Sequence, residues 1–467
     1  EDWGIDAKGE MYKLPAKFVG PYAEQDDALT YRLWQRFKIE LTNQDLTDVW
    51  EMEMELLPIL IQMRAKGVRV DLDGATNLKK EFVEKEKKAL LKIKKAAGMN
   101  IDIWAARSIA KGFDKLKIKY PLTEKSKEPS FTQNWLTNCK APIAQFIREA
   151  REVNKFHSTF IDSIFKFEHN GRVHAEINQL RSDAGGTVSG RLSYAHPNLQ
   201  QIPARNRELG PRIRSLFLPD VAGRWASFDY SQQEPRLVVH YAASIGFEGS
   251  EELVEAYHSQ NTDFHQTVAD MAGIPRSQAK TINLGLFYGM GKNKLSRELG
   301  IDKQQAEQIL QEYNRRVPFV KQLANRATDS ADKNGAIWTV KGRKCRFDTW
   351  EPSSFGLHKS TNFEDAVNKY GKNSIKRAGT YKALNRLIQG SAADQAKQAM
   401  INCAKRNFYP LIQIHDELCF SIPHERLAPA CKEIKEIMEV CIPELKVPSK
   451  VDITTGKNWG QTNDFKN

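Results

Sequence analysis

Two aspartates close short apolar runs. Asp229 follows Trp225-Ala226-Ser227-Phe228, and Asp416 stands two residues beyond 411–414, after His415. They lie 187 residues apart, so the chain between them must fold back if the two carboxylates are to converge. The first run reads as a buried strand, continued by a helix through Leu237, Val238 and Tyr241. The second, with His415-Asp416-Glu417 between apolar segments 411–414 and 418–422, has the layout of a β-hairpin with a polar tip. Carboxylates on such strand ends project into a cleft, beside the peptide carbonyl of Tyr230, and hard oxygen donors of this kind suit Mg²⁺. Either aspartate alone is more economically read as a turn residue; their joint occurrence with the segments below overturns that.

A chain of 467 residues exceeds one core and calls for subdomains around a shared cleft. Lysine and arginine number 70 against 58 acids, a formal charge of +12 that suits a polyanionic partner. Fifteen Lys or Arg and six Asp or Glu fall between Lys79 and Lys127, so the excess is local. The six cysteines show no C-x-x-C pair or metal-ligand spacing, which favours free thiols in a reducing compartment over zinc or disulfide frameworks. The longest apolar run, 56–61, is far too short to span a bilayer, which predicts a soluble, cytoplasmic protein with no membrane partner.

Residues 1–50 read as a helical remnant too short for a domain, and 51–185 as helical, with a long Lys/Glu-rich helix from Lys79 to Ala97. The charges of that helix fit a solvated face or a nucleic-acid backbone. Gly185-Gly186-Thr187 and the stretch 191–203 mark a loop-rich passage. Helices dominate from about 250 to 335, the stretch 350–376 reads as an exposed insertion, and 381–404 is helical again.

After Pro275, the residues Arg276, Lys280, Leu284 and Tyr288 recur every four positions and share one slowly rotating helix face. Two cations at that spacing repel by about 0.2–0.5 kcal/mol unless an anion lies over them. A triphosphate would be such an anion, and His265 could also donate to a phosphate oxygen. Arg191, Asn198, Gln200, Asn385 and Gln389 could read the minor-groove acceptors common to all base pairs. Paired carboxylates seating two metals, with a phosphate-gripping helix between them, describe nucleotidyl transfer.

The order of these segments resembles the polymerase motifs of family A DNA polymerases, the bacterial DNA polymerase I family and its phage members, over about residues 50–467. The resemblance is carried by Gly190-Arg191 with Pro197-Asn198, Gln200 and Pro203; by Asp229 to Glu234; by Arg276, Lys280 and Tyr288-Gly289; by Asn385 and Gln389-Gly390; by His415-Asp416-Glu417; and by Gly456 to Trp459. It implies an α+β, mostly helical right-hand polymerase fold with an antiparallel palm sheet and helical fingers and thumb. The implied divisions are an exonuclease remnant at 1–50, a thumb at 51–185, palm at 186–250 and 380–467, and fingers at 251–379 with the insertion near 350–376.

By that resemblance Asp229 and Asp416, with the Tyr230 carbonyl, would hold two Mg²⁺ ions, for which Mn²⁺ can substitute, and Glu417 would be a nearby acid shaping the primer end. Lys280 would act as general acid toward the leaving pyrophosphate. The implied nucleotide-binding set is Gln232, Glu234, His265, Arg276, Lys280, Leu284 and Tyr288, with Glu234 packing on Tyr288 as the gate against a ribose 2′-hydroxyl. Arg191, Asn198, Gln200, Asn385, Gln389 and His415 would touch primer-template DNA. The implied substrates are primer-template DNA and dNTPs, and the implied state is a monomer, with a replisome or processivity partner allowed, in a bacterial host cytoplasm if phage-encoded.

Several positions depart from the family pattern. Leu284 stands where Phe or Tyr is usual, Tyr381 where many bacterial members carry Arg, and Gln233-Glu234-Pro235 replaces Ile-Glu-Leu. With the insertion, these features look phage-like. Tyr22 and Asp26 resemble the last tyrosine and aspartate of a 3′–5′ exonuclease whose other carboxylates this sequence does not contain, so no proofreading is expected of it. A single-subunit RNA polymerase of the phage type shares the paired aspartates and the lysine helix, but a carboxylate at Glu234 opposes ribonucleotides. A non-catalytic DNA-binding module would explain the charge but not the aspartates.

Overall fold

Strand 223–230 is the axis of the molecule because its apolar run is covered on both faces. The computed structural model describes residues 6, 9–123, 126–182, 185–203, 206, 208–259, 263–287, 290–354, 356 and 358–465, without the side chains of 271, 272, 284, 286 and 287. The central sheet has five antiparallel strands in the order Ile412–Ile414, Glu417–Pro423, Gly223–Tyr230, Val451–Asn458, Gln461–Asp464. Side chains alternate between faces along a strand. Trp225 faces a cluster holding Cys419, Ile412 and Trp459. Ala226, Phe228 and Tyr230 face another, with Leu418, Phe420 and Val451.

The second face is covered by helices Ala383–Lys405 and Leu427–Glu439, through Met400, Cys403, Ile434 and Met438, and by helix Thr47–Lys66 through Met52, Leu56, Ile59 and Leu60. Helical periodicity alone grouped the 47–66 helix with the charged region that follows it. Its core, however, is the sheet's.

A second lobe is built on helix Leu72–Ala97, which buries Ala75, Leu78, Phe82, Ala89, Ile93 and Ala97 along one stripe. Asp71 caps it by accepting the Gly74 N–H at 2.8 Å, and Gly98 ends it in the left-handed region at φ 62°. Its outer half packs a separate core with Phe113, Phe131, Ile143 and Ile147. The expectation of helices alone in 51–185 omitted a small antiparallel sheet, in which Val68–Val70 pairs with both Arg172–Val173 and Phe217–Leu218. Three-residue strands carry too little periodicity to be read from sequence.

The third lobe runs from Ser250–Ser259 through Phe264–Ala272, Arg276–Phe287, Lys292–Leu299 and Lys303–Arg316 to Pro318–Asn334, all helical as expected. It shares a core with Gln233–Ile245 and the start of Ala383–Lys405. The 350–376 stretch is more ordered than its composition predicts. Strands Trp350–Pro352 and Ile375–Arg377 pair at its base, and helix Phe363–Tyr370 packs back with Phe363 edge-on to Trp350 at 5.0 Å.

Candidate active site

The strand register sets three carboxylates in a row. Glu417 lies directly across from Asp229 on one side and Asp452 directly across on the other. Directly opposed like charges in antiparallel strands are unfavourable. Asp229 is reached by solvent at the end of its strand, yet protein encloses most of it. That enclosure, then the charges of Asp416, Glu417 and Asp452, push its pKa up to about 8 against the pull of Arg214. Burial likewise raises Asp416, and Arg191 and His415 oppose the rise.

The hairpin fixes where Asp416 stands. Ile414 pairs with Glu417, leaving His415 and Asp416 as a two-residue tip, with His415 in the left-handed region at φ 56°. The Tyr230 N–H donates to the Asp416 carbonyl at 3.2 Å, which ties the tip to the end of the central strand. The Tyr230 ring points into the core, where its hydroxyl donates to the Met438 carbonyl at 2.8 Å. Only its backbone can serve the cleft. Among the described residues no three His, Cys, Asp or Glu side chains form a ready-made metal cluster. Two aspartates and one backbone carbonyl fit Mg²⁺ nonetheless, because that ion commonly takes one or two carboxylates and fills its shell with water and substrate oxygens.

Glu234 and Arg191 are paired with each other at 2.7 Å, both largely buried. Burial raises the Glu234 pKa while Arg191 lowers it. Gln232, in the left-handed region at φ 55°, accepts from the Phe264 N–H at 2.8 Å and so ties the strand end to the third lobe. Tyr288 lies outside the described residues, as does the side chain of Leu284.

On helix Arg276–Phe287 the buried face holds Ala279, Ile282 and Asn283, leaving Arg276 and Lys280 exposed. Arg276 pairs with Asp263, whose other oxygen accepts from the His265 N–H at 2.9 Å. Lys280 has no ion pair among the described residues. His265 is buried and its pKa falls to about 4, chiefly from desolvation and also from Lys280 and Arg276. The ring is therefore neutral. The Asn283 amide lies 3.1 Å from its Nδ1, while the Asn283 oxygen accepts from Tyr313. An Nδ1 that accepts leaves the proton on Nε2, a donor suited to an oxyanion. Asn283 and Tyr313 escaped the sequence reading; the available signal was a polar residue at a core position of the helix.

Five DNA-facing candidates line one cavity of about 510 Å³: Arg191, Gln200, Asn385, Gln389 and His415. Asn198 does not. Its oxygen caps the short helix after it by accepting from the Gln200 N–H at 3.1 Å. Two glycines let this cavity close up. A Cβ on Gly190, at φ 80°, would meet the Arg343 side chain at 3.0 Å, and one on Gly390 would meet Thr339 at 2.7 Å. Arg343 and Thr339 both bind Asp394, and Arg343 and Lys397 both bind Glu53, so a buried ionic cluster braces the wall behind Arg191 and Gln389. No motif pointed to it.

Strand-end aspartates on an antiparallel sheet, flanked by a largely helical lobe with an exposed cationic helix face, define the right-hand polymerase class. Residues 73–461 match the model of DNA polymerase family A, and the chain belongs to that family. A DNA-directed DNA polymerase of Pseudomonas phage M6 is 38% identical over 513 aligned residues, covering 99% of this chain and 73% of the relative. The thermostable DNA polymerase I of Thermus aquaticus is 30% identical over 94% of this chain, which spans 51% of that enzyme. Among solved structures, the POL domain of Pol1 from M. smegmatis in complex with DNA primer-template and dNTP matches with a TM-score of 0.76 at 28% identity, over 91% of this chain and 73% of that one. No helix among the described residues is long and apolar enough to cross a membrane.

Proposed function

We infer that this chain is a template-directed DNA polymerase, adding dNTPs to a primer 3′-hydroxyl with release of pyrophosphate, in the replication of a phage within its host's cytoplasm. The observation that carries this reading is the convergence of Asp229 and Asp416, joined through the Tyr230 N–H and flanked by Glu417 and Asp452. Crowded carboxylates with raised pKa values are the electrostatic condition that divalent cations relieve. Asp229, Asp416 and the Tyr230 carbonyl would hold two Mg²⁺ ions, whose chemistry there would be to lower the pKa of the 3′-hydroxyl and offset charge on the leaving pyrophosphate.

The protein's own groups do the rest. Lys280, exposed and free of an acid partner among the described residues, supplies a proton or positive charge to the pyrophosphate. Neutral His265 donates from Nε2 to a phosphate oxygen, and Arg276 exchanges Asp263 for phosphate. Glu234 closes the space beside the sugar, and its carboxylate is held in place by Arg191. Gln200, Asn385, Gln389 and His415 face the primer-template from the shared cavity. The names of the relatives favour DNA synthesis over the RNA polymerase alternative.

Asp416→Asn tests the reading. Extension of a labelled primer with Mg²⁺ and dNTPs should be lost while DNA affinity stays within about threefold, since the substitution removes a metal ligand and no phosphate contact. Unimpaired extension would overturn the metal assignment.

A further inference from the structure

The cavity holding Arg191, Asn385 and Gln389 continues beyond helix Ala383–Lys405. Arg181, Thr187, Val188 and Arg386 form part of its wall and part of the wall of a second cavity of about 410 Å³, whose far side carries Lys344, Arg346 and Phe347. The chain then steps from Thr349 to Trp350 and from Ala378 to Gly379 into a third cavity, about 450 Å³, edged by Lys376, Arg377 and Tyr381. Strands Trp350–Pro352 and Ile375–Arg377, the base of the insertion, build that last section.

The middle section of the track is cationic, with Arg181, Lys344, Arg346 and Arg386 against Asp348. In the last section Asp332 and Glu351 stand beside Lys376 and Arg377, and Lys376 pairs with Glu351 at 3.8 Å. Nine Lys or Arg and four Asp or Glu fall between Lys344 and Arg386. Lys344 and Arg346 donate to the Gln44 amide oxygen at 3.2 and 2.7 Å, Arg386 to the Arg346 carbonyl at 2.8 Å, and Arg377 to the Phe347 carbonyl at 3.0 Å. Among the described residues none of these four pairs with a carboxylate, although Arg377 and Arg386 lie over the Trp350 and Phe347 rings at 4.6 and 4.3 Å, so Lys344 and Arg346 are the charges most open to an external anion. At the end of the track Tyr381 is 61% exposed, with Lys382 5.3 Å from its ring centroid. Cations along a groove that ends on an open aromatic ring suit a single strand, whose phosphates meet the charges and whose unpaired base meets the ring. A duplex keeps its bases stacked inside and would leave the ring unused.

We propose that the insertion base and Tyr381 prolong the nucleic-acid channel as a track for the single-stranded overhang of the template. The proposal rests on the polymerase reading and assigns the inserted segment a part in it. Lys344→Gln/Arg346→Gln and Tyr381→Ala are compared with the wild type by fluorescence anisotropy on two primer-templates, one with a long 5′ overhang and one blunt. On the overhang substrate the double substitution should weaken binding about tenfold and flatten the slope of log Kd against log salt by about 1.4, near 0.7 for each single-strand phosphate that is no longer neutralised. Tyr381→Ala should weaken it about fivefold with the slope unchanged, as expected when a base loses its stacking platform. Both variants should bind the blunt duplex within twofold of wild type. Equal losses on the two substrates would assign the track to duplex DNA and overturn the proposal, as would unchanged affinity on both. Overhang-selective losses in the variants, together with a wild type that extends no primer, would fault the polymerase reading alone.

Discussion

Asp229 is the residue whose placement costs the fold most plainly. An acid whose folded pKa is raised holds its proton to higher pH when folded, so its share of stability is intact below pH 3.8 and drains away as pH climbs toward about 8. Solvent access at the strand end screens part of that loss. Asp229→Asn should therefore raise the Tm of the metal-free protein by about 1–3 °C at pH 8.5 and leave it nearly unchanged at pH 4. Added Mg²⁺ should then lift the wild type more than the variant in the same calorimetric scan. A variant less stable than wild type at pH 8.5 would show that the row of carboxylates carries no strain. Glu234 is held differently, by its ion pair with Arg191. Glu234→Ala opens space beside the sugar, and the ratio of ribonucleotide to deoxynucleotide incorporation at one template position should rise at least about tenfold. An unchanged ratio would move the gate to another side chain.

At the scale of elements, helix Ala383–Lys405 is the member that the site leans on. Asn385 and Gln389 face the cavity from its first turns, and further along its buried side Asp394 and Lys397 join Arg343 and Glu53. The cluster joins this helix to helix Thr47–Lys66 and to the loop between strands Ala336–Trp338 and Lys344–Arg346. Gln179 closes it, donating to both the carboxylate and the carbonyl of Glu53. Breaking a buried, fully bonded ion pair by removing one partner typically costs about 3–5 kcal/mol. Lys397→Met should lower unfolding free energy by about 3 kcal/mol in urea titration, with the m-value unchanged. A loss below about 1 kcal/mol would mean that Arg343 and Gln179 satisfy Glu53 without Lys397.

For the whole molecule the charge of +12 is a statement about its partner. Helix Leu72–Ala97 spends part of its charge internally, since Lys79 binds Asp162 at 2.6 Å and Lys85 binds Glu208 at 2.8 Å. Lys88, Lys94 and Lys95, further along, make no ion pair among the described residues. A site gripping about six phosphates should lose about 10³-fold in DNA affinity between 50 and 200 mM salt. Anisotropy titrations across that range measure it, and a Kd indifferent to salt would contradict a phosphate-dominated grip.

The sequence by itself determined the parts whose signal is local. An apolar run ending in Asp229, a hairpin tipped by Asp416 and a helix repeating every four residues from Arg276 are each written within a dozen positions, because period and turn chemistry are short-range properties. Their order along the chain was enough to name a family. Only the tertiary structure decided which residues meet. Asp452 became a neighbour of Asp229 through strand register, Asn283 and Tyr313 came to orient His265 through helix packing, and Glu53 reached Lys397 across the sheet's covering layer. Each of these depends on contacts between elements remote in sequence, where a lone charged or polar side chain looks the same whether it is solvated or buried against its partner.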